Sequence, residues 1–334
     1  MDFEPHVWHP PRNRGLKAPF AKNDLLRSAA LWDTTGRGPE DVAIDPEGRP
    51  VTGLADGRII RFATTGGPAE EIADVGGRPL GIEIDADGES LIVCNAKLGL
   101  QRVSPDGRTQ VLADRFVDSV FRLTNNAAVA RDGTIYFSVS SHRWGMAEYT
   151  TDILEHATTG ALYRRDTNGE LDVVMGGLAF ANGVALSSTE DFVLVAELGS
   201  YRIHRIWLTA EGAGTKDLLC ENLPGFPDNL NVGNGLVWCG FPGTRDRVLD
   251  AMLPRPRLRA LAYRLPARLR PPRPSRHGFV AAFDETGRVL ANFQDPTGRV
   301  AVTTSAIPHG RYLYVGSLTQ PSLAVVALPD SLAA

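Results

Sequence analysis

The stretch that decides the fold is Phe180-Ala181-Asn182-Gly183-Val184-Ala185-Leu186-Ser187, and Phe192-Val193-Leu194-Val195-Ala196-Glu197 follows it closely. Asn182 stands just before an alternating apolar run, so we expect it at the mouth of a β-strand with its amide free to contact something. The glycine after it permits a backbone turn that a side chain would forbid. A polar residue at a strand entrance is therefore predicted to carry the site.

The same pattern, a polar or turn dipeptide that leads into a short apolar strand, recurs along the chain. Other copies begin at Gly38-Pro39-Glu40-Asp41, Arg78-Pro79-Leu80-Gly81, Leu123-Thr124-Asn125-Asn126 and Phe226-Pro227-Asp228-Asn229. From Glu40 through Leu80, Asn125 and Asn182 to Asp228 the steps are 40, 45, 57 and 46 residues. A unit of about 40–50 residues built from short strands is typical of a propeller blade.

A sixth unit follows over residues 302–328, and Asp-Gly pairs such as Asp87-Gly88 mark hairpin turns inside the units. We therefore predict an all-β, six-bladed β-propeller of four-stranded antiparallel blades, a closed ring that removes exposed sheet edges. Residues 38–334 form the propeller in this interpretation. Residues 1–37 are an N-terminal extension that packs on it, and residues 23–29 form either a short helix or a strand closing the last blade.

Composition excludes several classes of protein. The chain is 43% hydrophobic and 22% charged with a net charge of −4, and none of its apolar runs reaches the roughly 18–20 residues of a membrane helix. The N-terminus lacks the apolar core and cleavage site of a secretory signal, which predicts a cytoplasmic protein. Three scattered cysteines, Cys94, Cys220 and Cys239, are expected to be buried structural thiols.

Residues 244–276 form an insertion with an unusual charge. It carries ten arginines against Asp246 and Asp250, a local charge of +8. Such a block can bind nucleic acid or an anionic membrane surface. Leucines at near-helical spacing favour instead a helical lid or flank with a solvated face, and the segment lacks the aromatic interleaving of single-strand binders. We predict no nucleic-acid partner and no integral membrane segment.

The repeat also predicts a site. The innermost strand of each blade begins near the central channel, so Glu40, Asn125, Asn182 and Asp228 are expected to meet there. Two carboxylates and two amide oxygens suit Ca²⁺, or alternatively Mg²⁺, and the lack of His and Cys at these positions argues against zinc. The alternative is that each residue is a turn former bonded to its own backbone, but four at one repeat phase favour the metal site.

These runs, together with Tyr312-Leu313-Tyr314-Val315-Gly316-Ser317, resemble the strictosidine synthase-like family of six-bladed propellers. This family includes the adipocyte plasma membrane-associated proteins and is related to gluconolactonase/regucalcin and the paraoxonases. The resemblance implies that Glu40, Asn182 and Asp228 are metal ligands. It also implies that Asn125 is a fourth ligand or a substrate contact, Asn229 an accessory ligand and Asp228 the candidate base.

The chain departs from that pattern at several positions. Asn126 stands where relatives often have Asp, Val139 where many have Asp, and Leu80 where paraoxonases have His. No acid stands near Ile307-Pro308, where true strictosidine synthases have their catalytic Glu. The resemblance therefore implies metal-assisted chemistry and not the alkaloid condensation.

The function we expect is divalent-metal-dependent hydrolysis of a lactone or ester. A bound cation polarises an acyl oxygen and activates water, and the sequence contains no Gly-x-Ser-x-Gly nucleophile elbow. His142 is a candidate proton shuttle, with an ordinary surface or packed histidine as the alternative. The competing function is a non-catalytic ligand- or protein-binding propeller with a structural calcium, since this fold serves both.

Overall fold

The computed structural model describes residues 2–209, 212–266, 269–272 and 276–333. Within these ranges the chain forms six four-stranded antiparallel sheets and one two-stranded ribbon. The innermost strand of each sheet contacts that of the next, and the sixth returns to the first. The predicted six-bladed propeller is confirmed.

The strands of each blade run from the innermost to the outermost. Blade one comprises β2 (Val42–Ile44), β3 (Pro50–Gly53), β4 (Arg58–Arg61) and β5 (Glu70–Asp74). Blade two comprises β6 (Pro79–Ile84), β7 (Leu91–Asn95), β8 (Gly99–Val103) and β9 (Thr109–Ala113). Blade three comprises β12 (Leu123–Val129), β13 (Ile135–Ser141), β14 (Gly160–Arg165) and β15 (Leu171–Leu178). The ribbon before blade three comprises β10 (Arg115–Phe116) and β11 (Ser119–Val120).

The other three blades follow the same order. Blade four comprises β16 (Ala181–Leu186), β17 (Phe192–Glu197), β18 (Arg202–Trp207) and β19 (Lys216–Cys220). Blade five comprises β20 (Leu230–Gly233), β21 (Leu236–Gly240), β22 (Gly278–Phe283) and β23 (Val289–Asp295). Blade six comprises β24 (Thr303–His309), β25 (Tyr312–Ser317), β26 (Ser322–Ala327) and β1 (Ala30–Asp33). Strand β1 thus comes from the N-terminal part of the chain, and Ala30 lies opposite Val325 in the last blade. Before it, Leu25–Ser28 form a 3-10 helix.

The hairpin turns follow the Asp-Gly signals. Gly88 adopts a φ of +75°, which an L side chain rarely takes. The side chain of Asp87 accepts hydrogen bonds from the backbone N–H groups of Glu89 and Ser90, at 2.9 and 2.8 Å. Strands β6 and β7 consequently pair with Ile84 opposite Leu91, so the predicted hairpin is confirmed here.

Apolar side chains fill the spaces between neighbouring blades. One cluster joins Ala128, Tyr136 and Leu162 of the third blade to Val184, Val193 and Val195 of the fourth. Tight packing between blades also explains Gly183, whose φ is not positive. A Cβ at this position would lie less than 3.0 Å from the backbone oxygen of Asp228. The expected special turn is therefore wrong, and the glycine is needed because two blades approach closely.

Two insertions cover the end of the ring where the innermost strands begin. One, between β13 and β14, contains a 3-10 helix at Met146–Glu148 and helix α1 (Tyr149–Glu155). The other, between β21 and β22, contains α2 (Arg247–Met252) and α3 (Pro256–Tyr263). Asp246 caps α2 by accepting hydrogen bonds from the N–H groups of Val248 and Leu249. A further 3-10 helix spans Leu198–Ser200 in the fourth blade.

The N-terminal residues join the two insertions into one layer, here called the cap: residues 3–8, α1, α2 and α3. The His6 N–H donates to the oxygen of Glu155 at 2.9 Å, and the ring of Phe3 stacks on Tyr263 at 4.4 Å. Arg259 of α3 is fully buried and donates to the oxygens of Leu154 and Glu155. Within the cap, Arg259 thus joins α3 to α1.

Those leucines lie differently from the expectation. Leu253 is buried, whereas Leu258, Leu261, Leu265 and Leu269 are exposed. Within the described ranges, none of the helices has the length and apolar character needed to cross a membrane. Cys94 and Cys239 are buried free thiols as expected, and Cys220 is half-buried.

Candidate active site

Glu40, Asn125, Asn182 and Asp228 all line one cavity of about 390 Å³ at the centre of the ring. Asn125 and Asn182 lie near the beginning of the innermost strands β12 and β16, and Glu40 and Asp228 lie two residues before β2 and β20. The four side chains come from four blades. The structure therefore brings these sequence-predicted residues together.

Hydrogen bonds orient the two asparagines. The Asn125 amide nitrogen donates to the Ser140 hydroxyl at 2.8 Å, and that hydroxyl donates to the oxygen of Ala181 in the next blade at 2.6 Å. The Asn182 side chain is hydrogen-bonded to the carboxylate of Asp228. With both nitrogens so engaged, the oxygen atom of each amide is left for another partner.

Glu40 is fixed from behind the cavity. The Thr304 hydroxyl donates to its backbone oxygen at 2.5 Å, and the Asn229 amide is hydrogen-bonded to its carboxylate. Asn229 is fully buried but is not among the residues that line the cavity. It contacts Glu40 directly and supports that side chain from behind the cavity wall.

Several buried oxygens at this place have no hydrogen-bond partner within the described part of the chain. They are Glu40 Oε2, Asn125 Oδ1, Asn182 Oδ1 and Asn229 Oδ1. Buried polar atoms in proteins are nearly always paired, because an unpaired one carries its full desolvation cost. Among the described residues no three His, Cys, Asp or Glu side chains form a metal-binding group, so any cation here depends on the amide oxygens.

The carboxylates are held in an unfavourable environment. Burial, with the charge of Asp41 adding to it, raises the pKa of Glu40 to about 8, although Arg78 and Asn229 oppose this shift. Burial also raises the pKa of Asp228 well above its ordinary value, and the charge of Glu40 adds to this. Two buried carboxylates at one point repel each other unless a positive charge or a proton lies between them.

The cavity walls are mostly apolar and come from all six blades and from the two insertions. The apolar lining residues include Leu80, Leu123, Phe180, Leu198, Phe226, Val302, Leu318, Met146, Tyr149 and Ile153. The insertion between β21 and β22 contributes Pro242, Gly243, Thr244, Arg270 and Pro272, and none of its described leucines lines the cavity. The sequence missed Tyr149 of α1, whose pKa is raised by burial and by the charge of Asp228. Its only signal was the unusual length of the segment between β13 and β14.

His142 lies outside this group. Its Nδ1 is 2.9 Å from the hydroxyl of Ser119, its Nε2 is 2.8 Å from the hydroxyl of Tyr163, and its ring packs against Phe121. It is not among the described residues that line the cavity. A proton-shuttle role for His142 stays a prediction.

Comparison with known proteins matches two family models. One, described as strictosidine synthase, matches residues 125–211, and the other, strictosidine synthase-like, N-terminal, matches residues 18–62. Among solved structures, a gluconolactonase from Xanthomonas campestris superposes with a TM-score of 0.65 at 20% identity, covering 98% of this chain and 97% of that one. A calcium-binding protein, regucalcin, from Agrobacterium tumefaciens gives 0.62 at 13% identity, covering 88% and 93%. At these identities the likeness concerns the fold.

Closer relatives extend over almost the whole chain. The adipocyte plasma membrane-associated protein of Gallus gallus is 32% identical over 93% of this chain and 80% of its own length. The protein strictosidine synthase-like 10 of Arabidopsis thaliana is 32% identical over 96% of this chain and 92% of its own length. The chain therefore belongs to the strictosidine synthase-like family, which includes the adipocyte plasma membrane-associated proteins.

Proposed function

We propose that this protein is a divalent-cation-dependent hydrolase of lactones or esters. The observation that carries the proposal is the set of unpartnered buried oxygens on Glu40, Asn125, Asn182 and Asn229 beside the carboxylate of Asp228. A hard cation would satisfy these oxygens and offset the repulsion of the two carboxylates. Calcium fits an all-oxygen set that mixes charged and neutral donors, with Mg²⁺ as the alternative.

The residues fit the ion as follows. Glu40, Asn125, Asn182 and Asp228 would hold it from the cavity side, and Asn229 would orient Glu40 or supply an accessory oxygen. When bound, the cation would polarise an acyl oxygen and lower the pKa of water beside it. The chain's own residues would supply the rest of the chemistry.

Asp228 is our candidate for proton transfer. It would accept a proton from the attacking water as the water oxygen bonds to the acyl carbon. The bond from that carbon to the ring or alkoxy oxygen would then break, and the proton would pass to the departing oxygen. The net reaction adds one water to a lactone or ester and gives a hydroxy acid, or an acid and an alcohol. Asn182, hydrogen-bonded to Asp228, would hold the carboxylate in place for this step.

The walls favour an apolar substrate. Side chains such as Leu123, Phe180 and Phe226 line the cavity and would bury an acyl chain or aryl ring. Apart from the proposed ligands, the polar side chains of the lining are outnumbered by apolar ones; they are Tyr149, Thr150, Thr244, Arg270 and Thr319. Within the lactone and ester class we therefore place acyl lactones and aryl esters ahead of aldonolactones.

The test is a turnover screen with chelated protein that is resupplied with Ca²⁺ or Mg²⁺. Acyl lactones, aryl esters and aldonolactones are the substrates, and D228N is compared with D172N, a substitution of an exposed aspartate on β15. We expect cation-dependent hydrolysis that D228N lowers at least about a hundredfold, a typical contribution of a positioned base, while D172N leaves it unchanged. Inactivity toward the whole panel, with or without cation, would overturn the proposal.

A second candidate is a binding propeller that holds a structural calcium and a ligand without turnover. Leu80 favours it, because this side chain lines the cavity at the position where, by the resemblance, paraoxonases have a histidine. Calcium binding together with saturable ligand binding, but no hydrolysis, would select this function over the first.

A further inference from the structure

Helix α3 presents leucines to solvent. Leu258 and Leu261 are 47% and 61% exposed, and Leu265, just beyond the helix, is 44% exposed. Leu258 and Leu261 are three residues apart and therefore lie on one side of α3, whereas Arg259, on the neighbouring side, is buried. Single exposed leucines are common, but a row of them on one face marks an interaction surface.

Arginines flank this row. Arg255, Arg257 and Arg264 are exposed. Among the described residues, no carboxylate lies within salt-bridge distance of any of the three, whereas blade arginines such as Arg61 and Arg102 are paired with acidic neighbours. The positive charge of the insertion is therefore not neutralised on this face.

The position of the helix in the fold matters as well. The insertion leaves the propeller between β21 and β22, at the end of the ring where the cavity lies, and its own Thr244 and Arg270 line that cavity. The turns between β8 and β9 and between β24 and β25 lie at the opposite end, because successive strands of a blade run in alternating directions. The exposed leucines and arginines thus share one end of the molecule with the cavity.

The structure assigns this face to docking on an anionic lipid bilayer. The docking face comprises Arg255, Arg257, Leu258, Leu261, Arg264 and Leu265. Its leucines would enter the boundary between headgroups and acyl chains, and its arginines would contact the anionic headgroups at the same depth. A nucleic acid would leave the leucines in water, and a neutral apolar partner would leave the arginines unpaired. Charge complementarity together with exposed leucines selects the bilayer.

The experiment is co-sedimentation of the purified chain with sucrose-loaded vesicles. One vesicle type is phosphatidylcholine alone and the other contains about 30 mol% phosphatidylglycerol, in about 0.1 M NaCl where screening is moderate. We expect binding to the anionic vesicles only. R257Q/R264Q should weaken it about 25-fold, about fivefold for each arginine removed, and L258S/L261S should weaken it at least about tenfold.

Matched controls lie at the other end of the ring. R108Q/R311Q removes two exposed arginines from turns, and L290S removes an apolar side chain that is 45% exposed. Both controls should bind within about twofold of the wild type, a change smaller than the loss expected for one arginine. Thermal unfolding of every variant checks that the fold is kept.

Three outcomes would overturn the assignment. The wild type binds neither vesicle type, it binds both equally, or the controls lose as much binding as the docking-face variants. A dimer in vesicle-free sedimentation velocity that L258S/L261S converts to a monomer, without vesicle binding, would instead assign the face to a second copy of this chain.

Discussion

The amide of Asn126 donates a 2.9 Å hydrogen bond to the carboxylate of Asp41, which lies 85 residues earlier in the chain. The oxygen of the same amide accepts from the backbone N–H of Val184 at 2.7 Å. Asp41 also accepts from the hydroxyl of Ser305 at 2.5 Å and from the N–H of Ile82 at 3.3 Å. One asparagine and one aspartate therefore tie together the innermost strands of five blades beside the candidate site.

This relationship predicts the effect of N126D. The substitution removes the donor to Asp41 and places a second buried carboxylate against the first, so it should lower the free energy of unfolding by about 2–4 kcal/mol. Chemical denaturation of the chelated protein measures the change. N168D, in an exposed turn, is the control and should have little effect. An N126D protein as stable as N168D would show that this network does not hold the blades together.

The network also shows how far the sequence could predict the fold. The repeat phase placed Glu40, Asn125, Asn182 and Asp228 at one end of a ring, because every innermost strand of a propeller starts at the same end. Asn126 was recognised only as a departure from the family pattern. Its partners Asp41 and Val184 lie on two other blades, and the register that brings them together depends on packing between blades.

Gly183 gives a second prediction. In G183A the new Cβ would lie less than 3.0 Å from the backbone oxygen of Asp228 and the nitrogen of Leu230, so blades four and five must move apart. We expect a loss of about 1–3 kcal/mol in the free energy of unfolding, with weaker cation binding because Asp228 moves. G176A is the matched control, since Gly176 is exposed, its φ is not positive and it has room for a methyl group. Equal stability of the two variants would refute the close approach.

A third prediction concerns the hydrogen bonds by which Arg259 joins α3 to α1 and to the N-terminal residues of the cap. R259M keeps the buried stem but removes the donors to the oxygens of Leu154, Glu155 and His6. Hydrogen bonds from a charged group contribute about 1.5–3 kcal/mol each, so we expect faster limited proteolysis of the cap and a lower melting temperature. R257M, exposed two residues earlier, should digest like the wild type. Unchanged digestion of R259M would mean that the apolar contacts of the cap suffice.

The buried carboxyl group of Asp152 leads us to predict that the stability of the fold depends on pH. Burial, with the charge of Glu155 contributing, raises its pKa from 3.8 to about 7, although a hydrogen bond from Ser141 opposes the shift. The folded chain thus favours the protonated form, whose stabilising contribution is complete below the ordinary pKa and is lost as pH rises through about 7. Relative to D152N, the wild type should lose about 1–4 kcal/mol between about pH 4 and pH 8.

Urea denaturation of both proteins across that range measures the difference, and comparison with D152N removes the contributions of other groups. D172N, at an exposed position, should follow the wild type throughout. A difference between wild type and D152N that stays constant with pH, or grows in favour of the wild type as pH rises, would contradict the buried protonated carboxyl.

The insertion between β13 and β14 forms the part of the cavity wall that the sequence could not predict. Met146, Tyr149 and Ile153 line the cavity from an insertion whose position the repeat does not set. The leucines of the second insertion indicated a helix but misled about its buried side, because the buried contact is made by Arg259. Arginine is rarely fully buried unless paired, and the carbonyl oxygens of α1 and of His6, with the charge of Glu155, explain its place.

The central claim is that Glu40, Asn125, Asn182 and Asp228 hold a divalent cation, and calorimetric titration of Ca²⁺ into the chelated protein tests it most directly. We predict one site per chain in the wild type, with affinity reduced at least about tenfold in E40Q and in D228N and unchanged in D172N. A wild type that binds no calcium or magnesium, or E40Q and D228N variants that bind as tightly as the wild type, would contradict the account.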